Sequence, residues 1–102
     1  MGKKSHIKMP KEQLIQFCKE YHISKLSLYG SVLRDDFRPD SDIDILVEFN
    51  EGFKIGLLKM ARIENELSEI LGQKVDLRTP ADLSHYFRHE VLESAEVEYA
   101  EG

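Results

Sequence analysis

Residues 42–49 constrain the fold of this chain more than any other segment. Apolar side chains recur there at every second position, as Ile43, Ile45, Val47 and Phe49. The positions between them carry Asp42, Asp44, Leu46 and Glu48. Because successive side chains of a strand point to opposite faces of its sheet, this alternation predicts a β-strand. One face of the strand then belongs to the core, and the other carries Asp42 and Asp44.

Other segments predict helices and strands on both sides of this strand. Apolar residues at helical spacing predict a helix over residues 10–21 and a longer one over residues 56–71, which Gly72 ends. The remaining predicted elements are short strands at 25–29, 74–78 and 96–99, a helical turn at 32–34, and a helix that begins after Thr79 and runs to about Ser94. This mixed order of helices and strands indicates an α/β domain.

The chain has 102 residues, which fits one domain; we expect a flexible leader at 1–9 and a single domain at 10–102. No apolar run reaches the ~20 residues of a membrane-spanning helix, and no apolar segment follows the basic N-terminus as it would in a signal peptide. The single cysteine, Cys18, excludes an internal disulfide and fits a reducing compartment. A cytoplasmic protein without a membrane partner is therefore expected, with Cys18 as a small core residue.

The net charge of the chain is −5 and is unevenly distributed. Residues 1–40 carry eight Lys or Arg against five Asp or Glu, whereas residues 41–102 carry six against fourteen. Since duplex binding depends on neutralising many phosphates with basic side chains, this balance argues against direct nucleic-acid binding. The acidic part of the chain could instead hold cations, or it could form a solvated face.

Asp42 and Asp44 lie two residues apart on the predicted strand, so their side chains project from the same face. Two neighbouring carboxylates repel each other unless a positive charge lies between them. Their hard oxygen ligands suit Mg²⁺. The alternative is an exposed edge strand whose acidic side chains prevent pairing with other chains.

A glycine and a serine, Gly30 and Ser31, directly follow the first predicted strand. Backbone N–H groups at a turn between a strand and a helix bind phosphate, and glycine allows the phosphate to approach closely; a simple turn is the alternative. A third carboxylate, Asp76, lies in a later predicted strand. If that strand pairs beside residues 42–49, three carboxylates lie opposite a phosphate site, which is the layout of two-metal phosphoryl or nucleotidyl transfer.

The spacing of these residues resembles a known family signature. Gly30-Ser31, ten intervening residues and Asp42-Ile43-Asp44 match the pattern G-S-x10-D-x-D of the DNA polymerase β-like nucleotidyltransferases. The longer runs GSVLRDDFRPDSDIDILVEF and GQKVDLRTP are similar to those of minimal nucleotidyltransferases, the antitoxins of HEPN/MNT toxin–antitoxin pairs. This resemblance covers roughly residues 10–99. It implies the polymerase β-like palm fold, an α/β fold with a small mixed β-sheet and helices packed mainly on one face.

The resemblance also implies roles for individual residues. The nucleotide-binding set would be Gly30, Ser31 and Arg34, and the catalytic and metal-binding set would be Asp42, Asp44 and Asp76. Asp42 and Asp44 would ligate both metal ions, while Asp76 would hold the catalytic ion and help to deprotonate the attacking hydroxyl. Asp35 stands where these proteins often have glycine, so the loop after Ser31 departs from the family pattern.

As a function, the resemblance implies transfer of AMP from ATP to a tyrosine hydroxyl of a HEPN ribonuclease toxin, which the modification silences. Two Mg²⁺ ions, replaceable by Mn²⁺, would serve as cofactors. Two alternatives stay open. One is an antitoxin that acts only by covering the toxin. The other is a nucleotidyltransferase for a small molecule or an RNA end whose pocket a partner completes.

Overall fold

The sheet has four strands, β1 (Ile23–Tyr29), β2 (Ile43–Phe49), β3 (Val75–Arg78) and β4 (Glu96–Ala100), in a computed structural model that describes residues 10–30 and 42–101. Their order across the sheet is β3-β2-β1-β4. β1 runs antiparallel to both β2 and β4, whereas β2 and β3 are parallel. The sheet is therefore mixed, and the alternating segment that dominates the sequence is one of its two central strands.

The helices connect and cover these strands. They are α1 (Lys11–Glu20), α2 (Leu57–Leu71) and α3 (Arg88–Ser94), with a short 3-10 helix at Pro80–Asp82. α2 links the parallel strands β2 and β3, as a crossover between parallel strands requires. It ends where predicted, at Gly72, whose φ of 71° lies in the left-handed region. Within the two described ranges, no helix is long and apolar enough to cross a membrane.

The core lies between the sheet and the two long helices. α1 contributes Leu14, Phe17 and Cys18, and α2 contributes Ile63 and Leu67. They pack against strand side chains that include Leu26, Leu28, Ile43, Ile45, Val47 and Val75. Because the core-facing residues of β2 are the apolar members of its alternation, the opposite face of the sheet is left for the polar members. This confirms the predicted fold class, with α1 and α2 on one face.

The predicted single helix from residue 80 to about residue 94 is wrong. Its start is as expected, because the Asp82 carboxylate accepts hydrogen bonds from the Thr79 backbone N–H at 3.1 Å and the Thr79 hydroxyl at 3.0 Å. The Arg88 guanidinium, however, donates to the carbonyl oxygens of Pro80 at 2.9 Å and Leu83 at 3.2 Å. These carbonyls are thus bonded to a side chain, and the chain turns before α3 begins.

The remaining expectations concern short elements, the single cysteine and the leader. β1 begins at Ile23, two residues earlier than predicted, and the final strand is present as β4. Cys18 is fully buried, which confirms it as a core residue. The helical turn at 32–34 and the leader at 1–9 lie outside the residues that the structure describes.

The buried thiol predicts a loss of stability in alkali. Burial raises the pKa of Cys18 to about 12, from an ordinary value of 9.0. The fold thus holds this proton more tightly than the unfolded chain does, so its contribution is complete below about pH 9 and is lost as the pH rises toward about 12. We expect the urea midpoint to fall from about pH 9 to about pH 11, and to fall less steeply in Cys18→Ala. Equal slopes for parent and variant would contradict this assignment.

Candidate functional site

The face of the sheet opposite α1 and α2 carries a row of polar side chains, which we call the carboxylate face: Tyr29, Asp44, Asp76 and Arg78. Tyr29 on β1 is the Cα partner of Asp44 on β2, and Asp44 is the Cα partner of Asp76 on β3. Directly opposed residues of neighbouring strands share a face and lie side by side. The expectation that the strand of Asp76 pairs beside that of Asp44 is therefore confirmed. Both carboxylates are half-buried, and Asp42, just before β2, is exposed.

Gly30 brings the backbone at the end of β1 against the Asp44 carboxylate. A Cβ atom placed on Gly30 would lie 2.5 Å from Oδ2 of Asp44, closer than any real contact of that kind. The φ of Gly30 is +76°, a left-handed conformation that residues with a side chain rarely adopt. Two independent constraints, the contact and the positive φ, thus favour glycine here. The contact places the glycine of the G-S pair against the second aspartate of the D-x-D pair.

Arg78 is a member of this face that sequence reasoning missed. Its Nη2 lies 3.5 Å from Oδ2 of Asp76, two residues earlier on β3. The pKa of Arg78 is raised by the Asp76 charge, with smaller contributions from Tyr29 and Asp44. A fixed positive charge beside two carboxylates reduces the repulsion between them. The signal in the sequence is the i, i+2 spacing in Val75-Asp76-Leu77-Arg78, which places both charged side chains on one face of a strand.

Tyr29 supplies a neutral hydroxyl next to the carboxylates. Burial raises the pKa of Tyr29 to about 12, and the Asp44 charge adds to this shift. The phenol therefore stays protonated at neutral pH and is available as a hydrogen-bond donor. Tyr29 was not among the predicted site residues. The antiparallel pairing of β1 with β2 places it beside Asp44.

The donor chemistry of the carboxylate face suits a hard divalent cation. Asp44 and Asp76 present carboxylate oxygens from adjacent strands, and Asp42 directly precedes β2. Carboxylate oxygens are the ligands that Mg²⁺ prefers. Across residues 10–30 and 42–101, however, no three Asp, Glu, His or Cys side chains are grouped closely enough to hold a metal ion. The structure thus pairs Asp44 with Asp76, and it does not group Asp42 with them closely enough for all three to hold one ion. Ser31 and Arg34, both predicted to bind the nucleotide, lie outside the residues that the structure describes.

Tyr86 and Phe87 are two aromatic residues that lie outside the core. Their exposed fractions are 85% and 55%. They belong to the turn between the 3-10 helix and α3, and the Tyr86 ring stacks on His85 with centroids 4.8 Å apart.

Comparison with known proteins gives consistent results in sequence and in structure. The family model described as a nucleotidyltransferase domain matches residues 11–97. A Methanocaldococcus jannaschii relative is 35% identical over 85 residues, which are 83% of this chain and 89% of that protein. The protein adenylyltransferase MntA of Thermococcus cleftensis is 35% identical over 72 residues, 71% of each chain. A crystal structure of a toxin–antitoxin with AMP-PNP superposes with a TM-score of 0.72 at 18% identity, over 90% of this chain and 74% of that one.

Proposed function

Because the chain belongs to the nucleotidyltransferase domain family, we propose that it transfers AMP from ATP to a hydroxyl group of a partner protein. The observation that supports this most strongly is the Cα pairing of Asp44 with Asp76 beside the Gly30 backbone. Two acidic side chains next to a glycine offer cation ligands and room for a phosphate to approach the backbone closely. Nucleotidyl transfer needs both, since it depends on positioning and on stabilising charge.

Each site residue has a part in this proposal. Asp42, Asp44 and Asp76 would hold two Mg²⁺ ions, which Mn²⁺ could replace, while Gly30, Ser31 and Arg34 would bind the triphosphate of ATP. Bound Mg²⁺ would lower the pKa of the attacking hydroxyl and neutralise charge on the leaving pyrophosphate. Asp76 accepts the proton of that hydroxyl. The oxygen of the acceptor hydroxyl forms a bond to the α-phosphorus of ATP as the bond between that phosphorus and the pyrophosphate oxygen breaks.

We propose a tyrosine of a HEPN ribonuclease toxin as the acceptor, so that the protein acts as an antitoxin. The Thermococcus relative is named a protein adenylyltransferase, and the structural neighbour is a toxin–antitoxin with an ATP analogue. The ring of tyrosine is long and rigid and carries its oxygen clear of the partner's surface. Its pKa of ~10 is low enough for a nearby cation and carboxylate to favour the phenolate.

ATP is expected to bind at least about tenfold more tightly with Mg²⁺ than in EDTA, because a cation held by the carboxylates would offset the negative charge of the phosphates. Calorimetry with and without metal measures this difference. Asp76→Asn removes one cation ligand and should reduce the dependence on metal. Equal affinity for ATP in Mg²⁺ and in EDTA would count against the metal-dependent site.

A further inference from the structure

Two side chains of α2 bind the backbone of β3 along its outer edge. The Val75 N–H donates to Oγ of Ser68 at 3.0 Å, and the Leu77 N–H donates to Oε2 of Glu64 at 2.8 Å. The Ser68 hydroxyl in turn donates to the Glu64 carbonyl oxygen at 2.8 Å, one helical turn earlier. β3 is the outermost strand of the sheet that residues 10–30 and 42–101 form, so within those residues no neighbouring strand is available to these N–H groups. We call Glu64 and Ser68 the edge clamp.

The edge clamp holds the two residues that flank Asp76. Val75 and Leu77 point into the core, with exposed fractions of 1% and 7%. Asp76, between them, therefore points to the carboxylate face, and its Cα pairs with that of Asp44. Because the N–H groups of the two residues that flank Asp76 are bonded to α2, the helix holds the β3 backbone from which the Asp76 carboxylate points toward Asp44.

On the basis of the proposed function, we propose that Glu64 and Ser68 are positioning residues for Asp76. Their side chains bond the β3 backbone at Val75 and Leu77. Their effect on chemistry passes through the β3 backbone, which carries a carboxylate that must meet a cation within a fraction of an ångström. Loss of a group that orients a metal ligand typically weakens metal binding or activity about 10- to 100-fold.

Glu64→Ala and Ser68→Ala test this proposal, each with a matched control. Glu64→Gln keeps an oxygen that can accept from the Leu77 N–H. Ser94→Ala on α3 removes the same kind of bond, in which the Ser94 hydroxyl donates to the Glu90 carbonyl oxygen at 2.8 Å. Both acceptors of this hydroxyl, in Glu90 and Val91, belong to α3 itself. The measurements are the Mn²⁺ dissociation constant by calorimetry, exchange of the Leu77 amide hydrogen, and the rate of AMP transfer, all at a temperature where every variant is folded.

We expect Glu64→Ala to speed exchange at Leu77 and to weaken Mn²⁺ binding about tenfold or more, and Ser68→Ala to act in the same direction. Glu64→Gln and Ser94→Ala should bind Mn²⁺ as the parent does. Faster exchange at Leu77 with unchanged Mn²⁺ affinity would overturn the proposal. So would a parent protein that binds no Mn²⁺. If Glu64→Ala does not fold, Ser68→Ala decides. If the variants bind Mn²⁺ more weakly but the parent transfers no AMP, the positioning role of Glu64 and Ser68 stands and only the proposed function is rejected.

Discussion

Asp44→Asn is expected to lower the rate of AMP transfer at least about a thousandfold while the protein stays folded. The change removes a charged cation ligand at the centre of the carboxylate face and leaves the shape of the side chain almost unchanged. It also removes one of two neighbouring negative charges, so without metal the variant should be at least as stable as the parent. Asp42→Asn should behave in the same way. Transfer is measured by incorporation of labelled AMP, and stability by urea unfolding in EDTA.

Glu48→Gln is the matched control for this loss of charge. Glu48 lies on the same strand as Asp44 but pairs with Lys25 of β1, beyond the four-residue length of β3. Its neutralisation should leave transfer within about twofold of the parent, as for a surface change away from the site. An Asp44→Asn variant that retains most of its activity, or one that melts well below the parent in EDTA, would make Asp44 a structural residue.

Gly30→Ala should separate the two constraints on this glycine through comparison with Gly52→Ala. Both residues have a positive φ, +76° and +92°, so both alanines should cost about 1–2 kcal/mol of stability through backbone strain. At Gly30 the new methyl group meets Oδ2 of Asp44, whereas no atom of the described residues lies within 4 Å of the same position on Gly52. The Asp44 carboxylate is a side-chain end and can move away, which limits the added cost in stability but displaces a cation ligand.

The two variants should therefore be similar in stability and very different in activity. We expect transfer to fall about 100-fold in Gly30→Ala, because a shift of ~1 Å in a catalytic group has an effect of that size. Gly52→Ala should transfer AMP at nearly the parent rate. Urea unfolding and labelled-AMP transfer measure the two properties side by side. Equal activity in both variants would show that the contact between Gly30 and Asp44 has no part in the reaction.

Local patterns in the sequence were enough to predict the strands that carry the site. The alternation in residues 42–49 identifies the buried and the polar faces of β2, and Val75-Asp76-Leu77 repeats the same pattern in β3. Once the two strands are paired, Asp44 and Asp76 are neighbours. The end of α2 could also be predicted from a single residue, because Gly72 can adopt a left-handed conformation without strain.

Features that depend on contacts between distant residues could not be predicted in this way. The turn after Asp82 is set by Arg88, which bonds to carbonyl oxygens five and eight residues earlier, and no helical periodicity reports such bonds. The edge clamp is of the same kind: Glu64 is an ordinary polar residue of an amphipathic helix until β3 is placed beside it. The approach of Gly30 to Asp44 likewise depends on the antiparallel register of β1 and β2.

The most direct test of the central claim is the intact mass of the partner toxin after incubation with this protein, ATP and Mg²⁺. The proposed function predicts that the toxin gains the mass of one or more AMP groups, located on tyrosine by fragmentation, and loses its ribonuclease activity. Asp76→Asn should still bind the toxin but leave its mass unchanged, and Glu48→Gln should modify it as the parent does. A toxin that is neutralised without any change in mass, by a protein in which Asp42, Asp44 and Asp76 are all dispensable, would contradict the claim and identify an antitoxin that acts by binding alone.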